Sequence, residues 1–161
     1  MLSALSDLER KEFRYHWALW ARKRQLAPAG DWRIWLICAG RGFGKTRAGS
    51  EWIRQVARSS SDARIALVGA SFAETRAVMI EGESGILACS PPMFRPQYEP
   101  SLRRLTFPNG ATATLYSAAE PEALRGPQHS HACRTGSKGV LCQRSARLDR
   151  CAAAPGRSWF D

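Results

Sequence analysis

The chain has 161 residues and carries 24 Lys plus Arg against 14 Asp plus Glu, a net charge of +10, with hydrophobic residues at 44%. This length fits one domain with its own core, and no apolar run of about 18 residues predicts a membrane span. The charged N-terminus does not resemble a secretory signal, so we expect a cytoplasmic protein. Five cysteines without a C-x-x-C pair indicate reduced thiols. The basic charge favours a polyanionic partner, of which DNA and RNA are the usual examples.

A capping-box pattern at 6–9 predicts a first helix, which extends to about residue 23. Phe13, Trp17 and Trp20 lie at i, i+4 and i+7 of this helix and form an aromatic stripe on one face. We interpret the stripe as a packing face against the rest of the domain. The alternative is a surface that stacks on nucleic-acid bases.

A glycine-rich loop is the most informative stretch of the chain. A connection at 25–31 leads to a predicted strand at 32–38, and a helix is predicted at 45–58. Between them lies the loop: Ala39, Gly40, Arg41, Gly42, Phe43, Gly44, Lys45 and Thr46. Glycines permit the sharp turn, and the helix N-terminus would face bound phosphates. Lys45 would place its charge on those phosphates, and Thr46 would complete the coordination of Mg²⁺, which predicts a nucleotide-binding loop.

The next elements extend this unit. A compact apolar run at 64–70 predicts a second strand and completes a β-α-β unit, whose crossover joins parallel strands and puts the loop at the carboxyl edge of a sheet. A second capping-box pattern at 71–74 starts a helix through about residue 80, and a shorter helical segment is predicted at 84–88.

A β-hairpin is predicted downstream. Strands at 102–107 and 111–117 flank Asn109-Gly110, a strong hairpin signal. Arg103 and Arg104 fit a solvated sheet edge, and contact with nucleic acid is the alternative.

Four stretches together resemble the N-terminal ATPase part of phage large terminase subunits, over about residues 10–132. They are 30–36, the loop 39–46, 47–53 and 122–129. The resemblance is to terminases of tailed phages, prophages and gene-transfer-agent clusters. It implies an α/β fold of the P-loop NTPase (ASCE) type, a parallel sheet with flanking helices.

The resemblance also implies a function in the bacterial host cytoplasm. Terminases hydrolyse ATP to drive double-stranded DNA into procapsids, and a nuclease domain cuts that DNA. Their partners are the portal protein, a small terminase subunit and further copies in a ring. The last three loop residues match the phosphate-binding positions, Arg41 matches the arginine that senses the γ-phosphate, and the family tolerates Ala39 at the first position. Gln25 resembles an upstream glutamine near the adenine, and a linker residue is the alternative reading.

The segment after Ala132 departs from the family pattern. Terminases have an Asp-Glu pair there, the Walker B element, whereas this chain has no carboxylate until Asp149. We therefore expect a partial terminase ATPase domain at 1–132, with helix and linker at 1–31 and the P-loop core at 32–132. A disordered basic tail is expected at 133–161. A frameshift after Ala132 would account for this change, and sequencing the encoding DNA tests it.

His129, His131 and Cys133 form an H-x-H-x-C pattern. With no fourth ligand placed, we interpret them as loop residues and not as a zinc site.

Three functional hypotheses follow. The first is a terminase segment that binds ATP and Mg²⁺ with little or no turnover, so that enzyme activity is uncertain. The second is a non-enzymatic basic module that binds DNA through its arginines. The third is a non-functional prophage remnant.

Overall fold

The computed structural model describes Ser6, Arg10 and residues 13–136 and 139–144. Within these residues, seven strands form one sheet. They are β1 (Ile34–Cys38), β2 (Arg64–Gly69), β3 (Gln97–Glu99), β4 (Arg104–Thr106), β5 (Thr112–Ser117), β6 (His131–Thr135) and β7 (Gly139–Arg144). The α-helices are α1 (Trp17–Trp20), α2 (Lys45–Ser59), α3 (Phe72–Thr75), which continues as a π-helical turn Arg76–Ile80, and α4 (Ile86–Cys89). Short 3-10 turns lie at Lys23–Gln25, Pro92–Phe94, Pro100–Leu102 and Pro121–Leu124.

The sheet is mixed, with the strand order β1-β7-β6-β2-β5-β4-β3. Strand β2 pairs in parallel with both β5 and β6, whereas β7 is antiparallel to both β6 and β1. Strands β1 and β2 therefore run in the same direction, but β6 and β7 separate them. The prediction of an α/β fold is confirmed. The sheet, which we expected to be parallel, is mixed.

One face of the sheet packs against α2 and forms the main core. Trp52 and Ile53 of α2, which are 3% and 0% exposed, meet the buried side chains of the central strands, among them Ile65 and Leu67 of β2. Strand β2 is buried on both faces after its first residue, which is why its sequence is a continuous apolar run without alternation. A smaller cluster lies on the other face around Val68 and Tyr116.

The predicted hairpin is confirmed. Strands β4 and β5 are antiparallel, and Leu105 lies opposite Ala113. Gly110 has a φ of +99°, which only glycine adopts without strain, so the Asn-Gly turn forms as its sequence indicates. Asn109 donates from its Nδ2 to the Ala57 carbonyl at 2.7 Å, so the turn is also tied to the end of α2.

The predicted first helix is interrupted. Of its described residues beyond 13–14, only Trp17–Trp20 forms an α-helix, and the chain turns at Tyr15. The Tyr15 carbonyl accepts a hydrogen bond from Arg54 of α2 at 2.8 Å, and a regular helix would use that carbonyl internally. The aromatic stripe is split accordingly: Trp17 packs on the core, while Trp20 is 59% exposed.

The prediction of a disordered tail from residue 133 is wrong for β6 and β7. These strands form a hairpin in which Cys133 lies directly opposite Cys142. An added Cβ at Gly49 of α2 would lie 3.0 Å from Val140 Cγ1 and 3.2 Å from Cys133 Sγ, so the helix can approach this hairpin closely because Gly49 has no side chain. Packing on a helix is what a two-stranded hairpin needs for stability. The part of the predicted tail beyond residue 144 lies outside the described residues.

Candidate functional site

The glycine-rich loop connects β1 to α2 at the carboxyl edge of the parallel strands. Gly42 and Gly44 have φ values of +76° and +84°, a left-handed conformation that residues with a Cβ rarely adopt. Helix α2 begins immediately after Gly44 and continues for 15 residues. Its first N–H groups have no partner within the helix and carry the positive end of the helix dipole, an arrangement suited to anions.

Lys45 folds back into this loop. Its Nζ donates to the carbonyl oxygens of Ala39 at 2.7 Å and of Gly40 at 2.9 Å, the two residues that follow β1. The positive charge is thereby held inside the bend, between the end of the strand and the start of the helix. Thr46 lies beside it in the first turn and is half-buried, and Arg41 is exposed at the tip of the loop.

Gln25, which sequence analysis placed near an adenine, contacts the loop itself. Its side chain donates from Nε2 to the Phe43 carbonyl at 2.6 Å, and its Oε1 accepts from the Arg22 N–H at 2.8 Å. Gln25 is 7% exposed. The structure thus brings Gln25 together with the predicted loop residues.

A buried charge cluster on α2 was missed by the sequence analysis. The Glu51 carboxylate accepts hydrogen bonds from Arg47 at 2.7 Å and from Arg54 Nε at 2.9 Å, and Glu51 is 2% exposed. The guanidinium of Arg47 also lies 5.5 Å from the centre of the Trp17 ring. The signal was present, because residues three and four apart share a helix face.

A match to a family model covers residues 36–133, and that family is described as terminase large subunit, T4likevirus-type, N-terminal. The chain belongs to this family. The matched stretch covers more than half of the sequence, from β1 through the loop and α2 to β6. The comparison with curated proteins finds no match. No solved structure matches the chain either.

In this terminase chain, β7 lies beyond the stretch that matches the family. Strand β7 is nonetheless the neighbour of the loop strand β1, with Ile37 opposite Val140 and Cys38 opposite Gly139. The strand that leads into the loop therefore pairs with residues outside the family match.

Neither β6 nor α2 offers an unpaired carboxylate to the loop. Strand β6 ends at Thr135, whose hydroxyl is buried without a hydrogen-bond partner among the described residues, and no Asp or Glu occurs between Ala123 and Arg144. Glu74 follows β2, which lies three strands from β1, or roughly 14 Å at the usual spacing of about 4.8 Å. The carboxylate of Glu51 is already paired with two arginines.

The three residues of the H-x-H-x-C pattern have separate environments. His129 Nε2 lies 3.0 Å from the Tyr116 hydroxyl, while His131 Nδ1 lies 2.9 Å from Ser130 Oγ. Burial lowers the pKa of both histidines, and Arg64 and Arg144 respectively lower it further. Among the described residues, no three potential metal ligands come together.

Cys133 instead pairs with Cys142 inside the core. Their sulfur atoms lie 3.3 Å apart, and both thiols are free. Burial, together with the hydrogen bond shared with Cys133, raises the pKa of Cys142 well above its ordinary value. No helix in the described part of the chain is both long and apolar enough to cross a membrane.

Proposed function

We propose that this terminase chain binds ATP with Mg²⁺ in the loop 39–46, and that β1, the loop and α2 form a P-loop NTPase-type unit. The observation that carries the proposal is the position of Lys45. Its ammonium lies within the bend between two glycines of positive φ and the start of a 15-residue helix. A triphosphate requires this combination of cation, free amides and close backbone approach.

The loop residues divide the binding between them. The amides of the loop and of the first turn of α2 donate to the phosphate oxygens, and Lys45 moves from the two carbonyls to the β- and γ-phosphates. The Thr46 hydroxyl is the one side chain of the loop suited to hold Mg²⁺, which neutralises charge on the phosphates when bound. Arg41 is exposed in the loop, and its match to the terminase arginine that senses the γ-phosphate supports the same role here.

We further propose that the chain binds nucleotide with little or no hydrolysis. Hydrolysis needs one carboxylate to hold Mg²⁺ and another to orient the attacking water. Strand β6 supplies neither, since it ends in Thr135 and no acidic residue follows it before Asp149.

Membership of the terminase family supports a further proposal about partners. They are double-stranded DNA, the portal protein, the small terminase subunit and further copies of the chain.

Calorimetric titration of Mg-ATP into the full chain tests this proposal. Lys45→Ala removes the charge from the loop, and we expect affinity to fall by at least about 100-fold. Lys23→Ala is the matched control, because Lys23 is an exposed lysine in the turn before the loop, and it should leave affinity unchanged. Equal binding of ATP by the wild type and Lys45→Ala would show that the loop is not the nucleotide site. Phosphate release at saturating ATP then measures turnover, which should stay at background.

A further inference from the structure

Gln25 lies against the peptide group that joins Phe43 to Gly44. Its two side-chain hydrogen bonds connect this peptide to the backbone of Arg22, which lies three residues before Gln25 and 21 before Phe43. Gln25, the last residue of the 3-10 turn Lys23–Gln25, thus contacts the loop through its buried carboxamide.

The fit between Gln25 and Gly44 is close. A Cβ built on Gly44 would lie 2.7 Å from Gln25 Nε2, a distance that real Cβ atoms do not show. The φ of +84° favours glycine at position 44, and a Cβ there would displace the end of the Gln25 side chain.

This contact also fixes the direction of the next amide. In a trans peptide the carbonyl and the following N–H point in opposite directions, and the described chain has no cis peptide. Because the Phe43 carbonyl points to Gln25, the Gly44 N–H points away from it. Successive N–H groups held on one side of a turn form an anion-binding concavity.

The same bonds leave few hydrogen-bonding groups of the Gln25 side chain available to a nucleotide base. A carboxamide offers two N–H donors and one oxygen acceptor, and here the oxygen and one N–H are already engaged. With 7% of its surface exposed, the side chain has almost no open edge to present to an adenine.

We propose that Gln25 is a positioning residue, which orients the Phe43–Gly44 peptide and thereby raises the affinity of the loop for any polyphosphate, whatever its base. This inference rests on the proposed nucleotide binding. It replaces adenine recognition, which the sequence had suggested for Gln25, with a role in shaping the loop.

The test compares the wild type with Gln25→Glu and Gln25→Ala. Gln25→Glu keeps the length of the side chain and its acceptor for Arg22 but loses the donor to Phe43. ATP, GTP and inorganic tripolyphosphate are titrated into each full-length protein. In each variant, we expect the affinities for ATP, GTP and tripolyphosphate to fall by the same factor, about 10-fold. Weaker ATP binding with unchanged tripolyphosphate binding would overturn the inference in favour of base recognition.

A second measurement needs no ligand. In amide NMR spectra of the free protein, the Gly44 and Lys45 signals should shift in Gln25→Glu, whereas those of β2 should not. A general loss of folding would move both sets, and unchanged loop signals would overturn the positioning role. If the wild type binds neither ATP nor tripolyphosphate, the proposed function fails, and the NMR comparison still decides whether Gln25 sets the loop geometry.

Discussion

The carboxylate of Glu51 and the guanidinium of Arg54 form a buried ion pair on α2, and Arg54 also donates to the Tyr15 carbonyl. This pair joins the helix that follows the loop to the N-terminal segment. Arg47 binds the same carboxylate from the other side, so one buried acid balances two arginines.

We predict that Glu51→Gln lowers the free energy of unfolding by about 3 kcal/mol, because two arginines would lose their counter-charge in a largely buried place. Urea unfolding followed by circular dichroism measures the change. Glu122→Gln is the matched control, because its ion pair with Arg125 is exposed and such pairs contribute at most about 1 kcal/mol. Equal effects of the two substitutions would contradict the structural role of Glu51.

Neighbouring residues of β7 test whether the segment after residue 132 is folded. Val140 is 2% exposed and faces α2, whereas Leu141 is half-buried on the other face of the sheet. Val140→Asp should lower the free energy of unfolding by at least about 3 kcal/mol, since it buries a carboxylate without a partner. Leu141→Asp should lower it by clearly less. The measurement is thermal and urea unfolding of both variants. A chain that is disordered from residue 133 would tolerate both changes equally.

The buried histidines predict a loss of stability in mild acid. Burial lowers the folded-state pKa of His129 and His131 below the ordinary 6.5, so the unfolded chain binds more protons than the folded protein just below that pH. Their contribution is complete above about pH 7.5 and is lost as pH falls through 6.5 toward the folded pKa values. Urea unfolding at several pH values between 7.5 and 5 measures this slope. It should become shallower in the double variant His129→Gln/His131→Gln, and an unchanged slope would show that other groups cause it.

Exposed thiols should react faster with a thiol reagent than buried ones. Burial raises the pKa of Cys89 to about 12, and that of Cys142 is raised as well, so neither forms the reactive thiolate at pH 8. In a Cys151→Ser background, we expect the exposed Cys38 alone to react rapidly with a thiol reagent, and the three buried thiols to react only after unfolding. Cys38→Ser in the same background should then remove the rapid phase. A second rapid thiol would contradict the burial of Cys89, Cys133 and Cys142.

Much of the fold could be predicted from local patterns. The strand, loop and helix around Lys45, the buried strand β2 and the Asn109-Gly110 hairpin each lie within a few residues of the signals that predict them. The likeness to terminases also depended on these short stretches, and the family match confirms it. Nucleotide binding at the loop stays a proposal.

Other features depended on contacts between distant parts of the chain. At the break, the Tyr15 carbonyl accepts a hydrogen bond from Arg54, which lies 39 residues later in the chain. Gln25 contacts the loop through the Phe43 carbonyl, 18 residues later, and no local pattern indicates that contact. A local pattern does not indicate which distant group will satisfy a buried polar atom.

The sequence by itself determined the loop chemistry, because glycine conformation, the lysine charge and the helix start are properties of neighbouring residues. Only the tertiary structure decided what surrounds that loop. It placed β7 beside β1 and Gln25 behind Gly44, because the open edge of a strand and a buried carboxamide must each find hydrogen-bond partners wherever the folded chain provides them.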